Sequence, residues 1–158
     1  MIILVAIALA EPVVVIDSDN TVRGDVTVTM GVDEARAKLS DPRWISETDA
    51  SGTEIVALAP QGECGVYAHT SRTAMKTIHY TVTWCPTDNG WRSDLVESDT
   101  FESYSAVWTV TEADEGARLQ YSFAMKTGMV VPQFIINRST RRAIDNMLTN
   151  VQIAMGVP

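Results

Sequence analysis

His69 and Tyr80 are the two residues best placed to do chemistry in this chain. They fall in adjacent runs of alternating polarity, at positions that come face to face if the runs pair as an antiparallel hairpin. An imidazole titrates near neutrality, so His69 beside a tyrosine hydroxyl could assist an aldol-type or dehydration step in a sequestered pocket. The competing reading is a core histidine held by hydrogen bonds. His79 has the opposite parity and is expected at the surface.

The parity of His69 also gathers aromatic residues. Tyr67, Tyr80, Trp84, Tyr104, Trp108, Tyr121 and Phe123 are expected on one concave face, with Ile136 and Met147 closing over them from a C-terminal helix. These rings either fill a core or wall a pocket for a mostly apolar guest. Each inward tyrosine hydroxyl needs a partner, which a ligand or an ordered water supplies more easily than a filled core does.

Other polar residues carry weaker signals. Arg138, Arg141 and Arg142 crowd one stretch of the last helix, and Arg141 and Asp145 have i, i+4 spacing suited to a solvated ion pair. The bland reading is a charged outer face; the alternative sets Arg138 at a pocket mouth to meet an acidic headgroup. The connection Gly128-Met129-Val130-Val131-Pro132 is apolar, fit for a helix lead-in, a gate or a loop that touches a membrane transiently. Asp88, Asp99, Asp114 and Glu115 fall in turns, where solubility and turn chemistry explain them. The pattern suggests no metal site and no cofactor, and contains no nucleophile elbow, phosphate loop or dinucleotide fingerprint.

The elements that must position these residues read clearly from Thr21 onward. A strand at Thr21–Met30 is followed by a helix from Val32 or Asp33 to Leu39 and a short turn from Asp41-Pro42 through Trp44-Ile45. Six strands come next, at Thr53–Ala59, Cys64–Ser71, Thr77–Cys85, Trp91–Glu97, Ser103–Thr111 and Ala117–Lys126. Pro12 to Asp19 reads as an irregular or extended approach. After Val131-Pro132 the period becomes helical, with Ile136, Ala143, Met147, Val151 and Ala154 in one stripe and Ile144, Leu148 and Met155 beside it.

Two registers follow from hairpin turns. Pairing Thr73 with Lys76 sets His69 against Tyr80, Tyr67 against Val82, Gly65 against Trp84 and Cys64 against Cys85, where a disulfide is geometrically allowed. Pairing Glu112 with Ala117 sets Val110 against Leu119, Trp108 against Tyr121, Ala106 against Phe123 and Tyr104 against Met125. Apolar meets apolar at each step.

The 158 residues suit one domain, and the 46% hydrophobic content supports a real core. A formal charge of −8 repels nucleic acid and argues against it as a partner. Met1–Ala10 is uncharged and ends in Ala8-Leu9-Ala10, an arrangement that signal peptidase accepts. It reads as a signal peptide cleaved near Ala10, leaving a domain at 11–158 in a secreted or periplasmic protein. The competing reading is a buried first strand. A pair of cysteines agrees with export.

The order of elements resembles the helix-grip arrangement of the START-like superfamily, which includes START lipid-transfer domains, polyketide cyclase/dehydrase-like proteins and birch-pollen-allergen-like plant proteins. The resemblance spans Thr21 to Gly156. It rests on Ile78-His79-Tyr80-Thr81-Val82-Thr83-Trp84, on the strand ending Val107-Trp108-Thr109-Val110, and on Val130-Val131-Pro132 opening a final helix that reaches Met147-Leu148. It implies an α+β fold: a curved, seven-stranded antiparallel sheet around a long C-terminal helix, with two short helices between strands one and two. It also implies a hydrophobic ligand held between sheet and helix.

The first expectation is therefore a monomeric carrier for a lipid-like or aromatic small molecule, with no catalytic activity. The alternative is an enzyme of the cyclase/dehydrase type using His69 and Tyr80. A filled-core domain that binds another protein is the third possibility.

Overall fold

A computed structural model describes residues 11–158. Met1–Ala10, with the expected signal peptide, lie outside the described residues. The chain runs β1 (Val13–Ile16), β2 (Val22–Val28), α1 (Val32–Leu39), α2 (Pro42–Asp49), β3 (Glu54–Ala57), β4 (Gly65–Arg72), β5 (Thr77–Thr87), β6 (Gly90–Ser98), β7 (Phe101–Ala113), β8 (Gly116–Thr127) and α3 (Gln133–Met155). The strands form one sheet in the order β1-β2-β8-β7-β6-β5-β4-β3, and every pair is antiparallel. This is the α+β helix-grip architecture, with eight strands rather than the expected seven.

The additional strand is β1, in the stretch read as an irregular approach. Val13–Ile16 pairs with Val22–Asp25, and the chain reverses through Asp17–Asn20, where Asn20 takes a left-handed φ of 65°. Val14 turns inward while Val13 and Val15 face out, so a four-residue edge strand buries only one large side chain deeply.

Both expected registers are present. His69 faces Tyr80, Tyr67 faces Val82 and Gly65 faces Trp84 across β4 and β5. Trp108 faces Tyr121 and Tyr104 faces Met125 across β7 and β8. The Cys64–Cys85 disulfide closes the β4–β5 hairpin at the end away from its turn.

Two tryptophans seat α1. Trp84 Nε1 donates to the carbonyl of Leu39 at 3.1 Å, and Trp91 Nε1 to that of Arg36 at 3.4 Å. These are last-turn carbonyls, which a helix cannot satisfy internally. α2 starts on Pro42 with Asp41 as its cap, the Asp41 side chain accepting from the Arg43 amide at 2.9 Å. It runs on to Asp49, past the short turn expected at Trp44-Ile45, and stops at Ala50 in the left-handed region.

α3 has two different halves. Its buried residues are Ile144, Leu148, Val151, Gln152 and Met155, all in the C-terminal half, at the spacing of one helical face. That half is latched to β2: Gln152 Nε2 donates to the Thr27 carbonyl at 2.9 Å, and the Thr29 and Met30 amides donate to the carbonyls of Gly156 and Met155 at 3.0 and 3.1 Å. Gly24 lies directly beneath, where a methyl group would overlap Leu148 Cδ1. The N-terminal half has no fully buried residue, and stands over a space instead of a core.

Candidate functional site

That space is a cavity of about 540 Å³ between the sheet and α3, within the ~300–1,000 Å³ range of small-molecule sites. Its floor is the concave sheet face: His69 and Ser71 from β4, Ile78, Tyr80 and Trp84 from β5, Phe101, Tyr104 and Trp108 from β7, and Tyr121, Phe123 and Met125 from β8. α3 supplies Ile136, Ala143, Ile144 and Met147, and α2 supplies Ile45, Ser46 and Asp49. The mouth is marked by exposed lining residues: Met75 in the β4–β5 turn, Ser51 after α2, and Ile135, Ser139 and Ala143 on α3.

The rings of the wall are in mutual contact. The His69 and Tyr80 centroids lie 4.7 Å apart, those of Tyr80 and Phe101 5.2 Å, of Tyr80 and Tyr104 5.6 Å, and of Tyr104 and Phe123 5.1 Å. Tyr121 packs on Trp108 at 4.6 Å. Separations and tilts of this kind are the favourable ones for aromatic pairs. Together they make a stiff apolar surface with a few polar atoms along it.

Of the candidate ligand residues, His69, Tyr80, Trp84, Tyr104, Trp108, Tyr121, Phe123, Ile136 and Met147 line the cavity; Tyr67 does not. Tyr67 shares their sheet face but sits farther along β4, its ring folded over Gly65 and near Asp41 and Arg43. Trp84 lines the wall with its ring, its N–H being committed to Leu39. Arg138, Arg141 and Arg142 are exposed, lie outside the lining, and form no ion pair among the described residues, so the Arg141–Asp145 pair is not made.

The wall's electrostatics follow from burial. The His69 pKa is lowered to about 4 by desolvation, so the imidazole is neutral at pH 7. Its Nε2 is buried without a hydrogen-bond partner among the described residues. Burial raises the Tyr80, Tyr104 and Tyr121 hydroxyls above their ordinary value, and the neighbouring tyrosines add to the effect for Tyr104 and Tyr121. All three remain neutral donors at physiological pH. Most other polar groups are satisfied: Ser46 Oγ donates to the Thr53 carbonyl at 2.7 Å, and the Thr53 and Ser71 hydroxyls meet at 2.9 Å.

Asp49 is the exception, and sequence reasoning missed it. Its carboxyl lines the cavity at the end where α2 meets α3, and burial raises its pKa. Among the described residues Asn150 Nδ2 is its one side-chain donor, at 3.5 Å from Oδ1, and the same nitrogen donates to the Asp49 main-chain carbonyl at 3.2 Å. The available signal was the four-residue spacing of Ile45 and Asp49, which puts both on one face once α2 is allowed to run its full length.

No family model and no curated protein matches the sequence. Solved structures do match in fold. A START superfamily protein from Mycobacterium smegmatis superposes with a TM-score of 0.72 at 13% identity, covering 85% of this chain and 96% of that one. The Zhui aromatase/cyclase from Streptomyces sp. R1128 gives 0.70 at 16% identity, covering 85% and 92%. A STAR-related lipid transfer protein from Xanthomonas axonopodis gives 0.65 at 14% identity, covering 85% of each chain. The chain therefore has the START-like helix-grip fold. At such identities the likeness speaks for the fold alone, which hosts more than one activity.

Proposed function

We propose that this protein binds and carries a hydrophobic small molecule, lipid-like or aromatic, in the cavity between the sheet and α3. The observation that carries this reading is the cavity itself: about 540 Å³, open to solvent and walled mainly by aromatic and aliphatic side chains. An apolar guest in such a space gains roughly 25 cal/mol for each Å² of apolar surface it removes from water. The lipid-transfer and aromatase/cyclase proteins that share the fold support the reading. The disulfide supports action in an oxidising compartment, secreted or periplasmic, by a single domain spanning 11–158.

The apolar rim supports transient membrane contact. Val130 and Phe134 are exposed next to the lining residues Met129, Val131 and Ile135, and Met75 is exposed across the mouth. In a chain with a net charge of −8, no acidic residue occurs between Glu115 and Asp145, a stretch that includes Arg138, Arg141 and Arg142. A rim that is apolar and flanked by arginines suits an anionic bilayer from which a ligand is drawn.

The contact of His69 with Tyr80 favours a second reading, a cyclase/dehydrase-like enzyme. Against it stands the low basicity of His69: a base with a pKa of about 4 is poorly matched to proton abstraction at pH 7. The carrier is the better reading. Native mass spectrometry of protein purified from its host, followed by organic extraction, tests it. A stoichiometric apolar compound is expected. Protein that arrives empty, and stays empty when offered a panel of lipids and polycyclic compounds, overturns it.

A further inference from the structure

The only formal charge in the cavity wall at neutral pH belongs to Asp49, since His69 is neutral there and no lysine or arginine lines the space among the described residues. An ionised carboxylate offers about four acceptor sites. Here one is met by Asn150 at 3.5 Å, and among the described residues Asp49 has no Lys or Arg partner. A half-buried carboxylate with so little compensation is costly to keep, unless something that enters the cavity completes its shell.

The surrounding polar groups sharpen the point. Ser46, Thr53 and Ser71 use their hydroxyls on one another or on the Thr53 carbonyl. Asp49 is thus the ionised acceptor left open to a guest; the other open polar group of the wall is the neutral His69 imidazole, whose Nε2 has no partner among the described residues. Asp49 is half-buried, lines the same cavity as the buried Tyr121, and its charge is felt at that ring.

We infer that Asp49 selects the headgroup of the ligand: an amphiphile whose apolar body lies along the aromatic wall and whose terminal hydrogen-bond donor, an amine before a hydroxyl, meets the Asp49 carboxylate. The same geometry disfavours carboxylates and phosphates, which would face Asp49 with no cation in the wall to offset the repulsion. This inference rests on the carrier reading and narrows it to a ligand class.

The test is competition against the neutral probe N-phenyl-1-naphthylamine at pH 7.5. The competitors share a twelve-carbon chain and differ only at the head: dodecylamine, dodecanol, methyl dodecanoate and dodecanoic acid, each below its solubility or micelle limit. The wild-type protein should rank them amine, alcohol, ester, acid, with the amine at least about tenfold tighter than the acid, the size expected of one charge-assisted contact. Asp49→Asn keeps the side-chain shape and the acceptor for Asn150. It should remove most of that preference, bringing the amine and the acid to within about threefold of each other. Binding of all four heads with equal affinity, or best binding of the acid, would overturn the inference and leave the carrier reading standing. So would an unchanged ranking in a folded Asp49→Asn protein. If neither the probe nor any chain binds, the carrier reading and this inference fall together.

Discussion

The ring of His69 lies 4.7 Å from the ring of Tyr80 because the two residues are direct cross-strand partners of β4 and β5. The pairing places an imidazole in the aromatic wall at 8% exposure, with its Nε2 unpartnered among the described residues. Its depressed pKa is the thermodynamic record of that burial.

Stability therefore depends on pH. The folded pKa, about 4, lies below the ordinary 6.5, so the unfolded chain takes up a proton that the folded one refuses. Stability is fully present above pH 6.5 and is lost as pH falls toward 4, by about 2 kcal/mol at pH 5 and about 3 kcal/mol in all. His69→Phe keeps a ring against Tyr80 and removes the titration. Urea unfolding at pH 7 and pH 5 should show the wild type losing more stability than the variant over that interval. Equal losses would mean that His69 is solvated.

The disulfide holds the register on which that contact depends. Cys64 and Cys85 are 21 residues apart and close a hairpin loop, so the bond should stabilise the fold by about 3 kcal/mol, chiefly by restricting the unfolded chain. Cys64→Ser/Cys85→Ser should lower the urea midpoint by a corresponding amount, and reductant should do the same to the wild type but not to the variant. Thiols that alkylate in the unreduced protein would rule the bond out.

Gly24 governs how closely α3 approaches the sheet. A β-carbon there runs into Leu148 Cδ1, and the buried Ile144 Cγ2 is next nearest at 3.4 Å. Gly24→Val must push Leu148 off its rotamer or lift the C-terminal half of α3, at a cost of about 1–3 kcal/mol. Thermal unfolding should register the loss. Leu148→Ala in the same chain should restore part of it by making room, a non-additivity that two independent lesions would not show.

The strand registers were legible because a one-residue slip would have turned every apolar side chain of β7 and β8 to the wrong face. Other features were hidden for physical reasons. β1 carries one deeply buried residue, too little for a pattern. α2 begins on Asp41-Pro42, which reads as a turn until the residues that follow are seen to be helical. Cutting α2 short hid Asp49, the one charge of the cavity among the described residues. Parity put Tyr67 on the correct face, but parity says nothing of position along the strand, and Tyr67 lies near the α1–α2 junction, beyond the end of the cavity. The inward aromatic face gave the wall of the cavity but could not choose between a pocket and a filled core, because the space arises from what the N-terminal half of α3 fails to bury.

That half of α3 bears on how a ligand would enter. Its side-chain tie to the sheet is at one flank, where Asn137 Nδ2 donates to Asn20 Oδ1 at 2.9 Å, while Val130 and Phe134 stand exposed beside the mouth. If the rim touches a bilayer, placing a charge on it should slow loading from vesicles without altering the cavity. Val130→Asp/Phe134→Ser should therefore cut the rate of uptake of a fluorescent lipid from anionic vesicles by about tenfold or more, since a buried charge at an apolar contact costs more than the 1.4 kcal/mol that corresponds to that factor. Affinity for a guest supplied from solution without vesicles, such as micromolar N-phenyl-1-naphthylamine, should be unchanged, because neither residue lines the cavity. Raising salt should slow the wild type too, by screening the arginines that flank the rim. Equal uptake by wild type and variant, with no effect of salt, would mean that the ligand arrives through water and that the apolar rim serves only the helix it precedes.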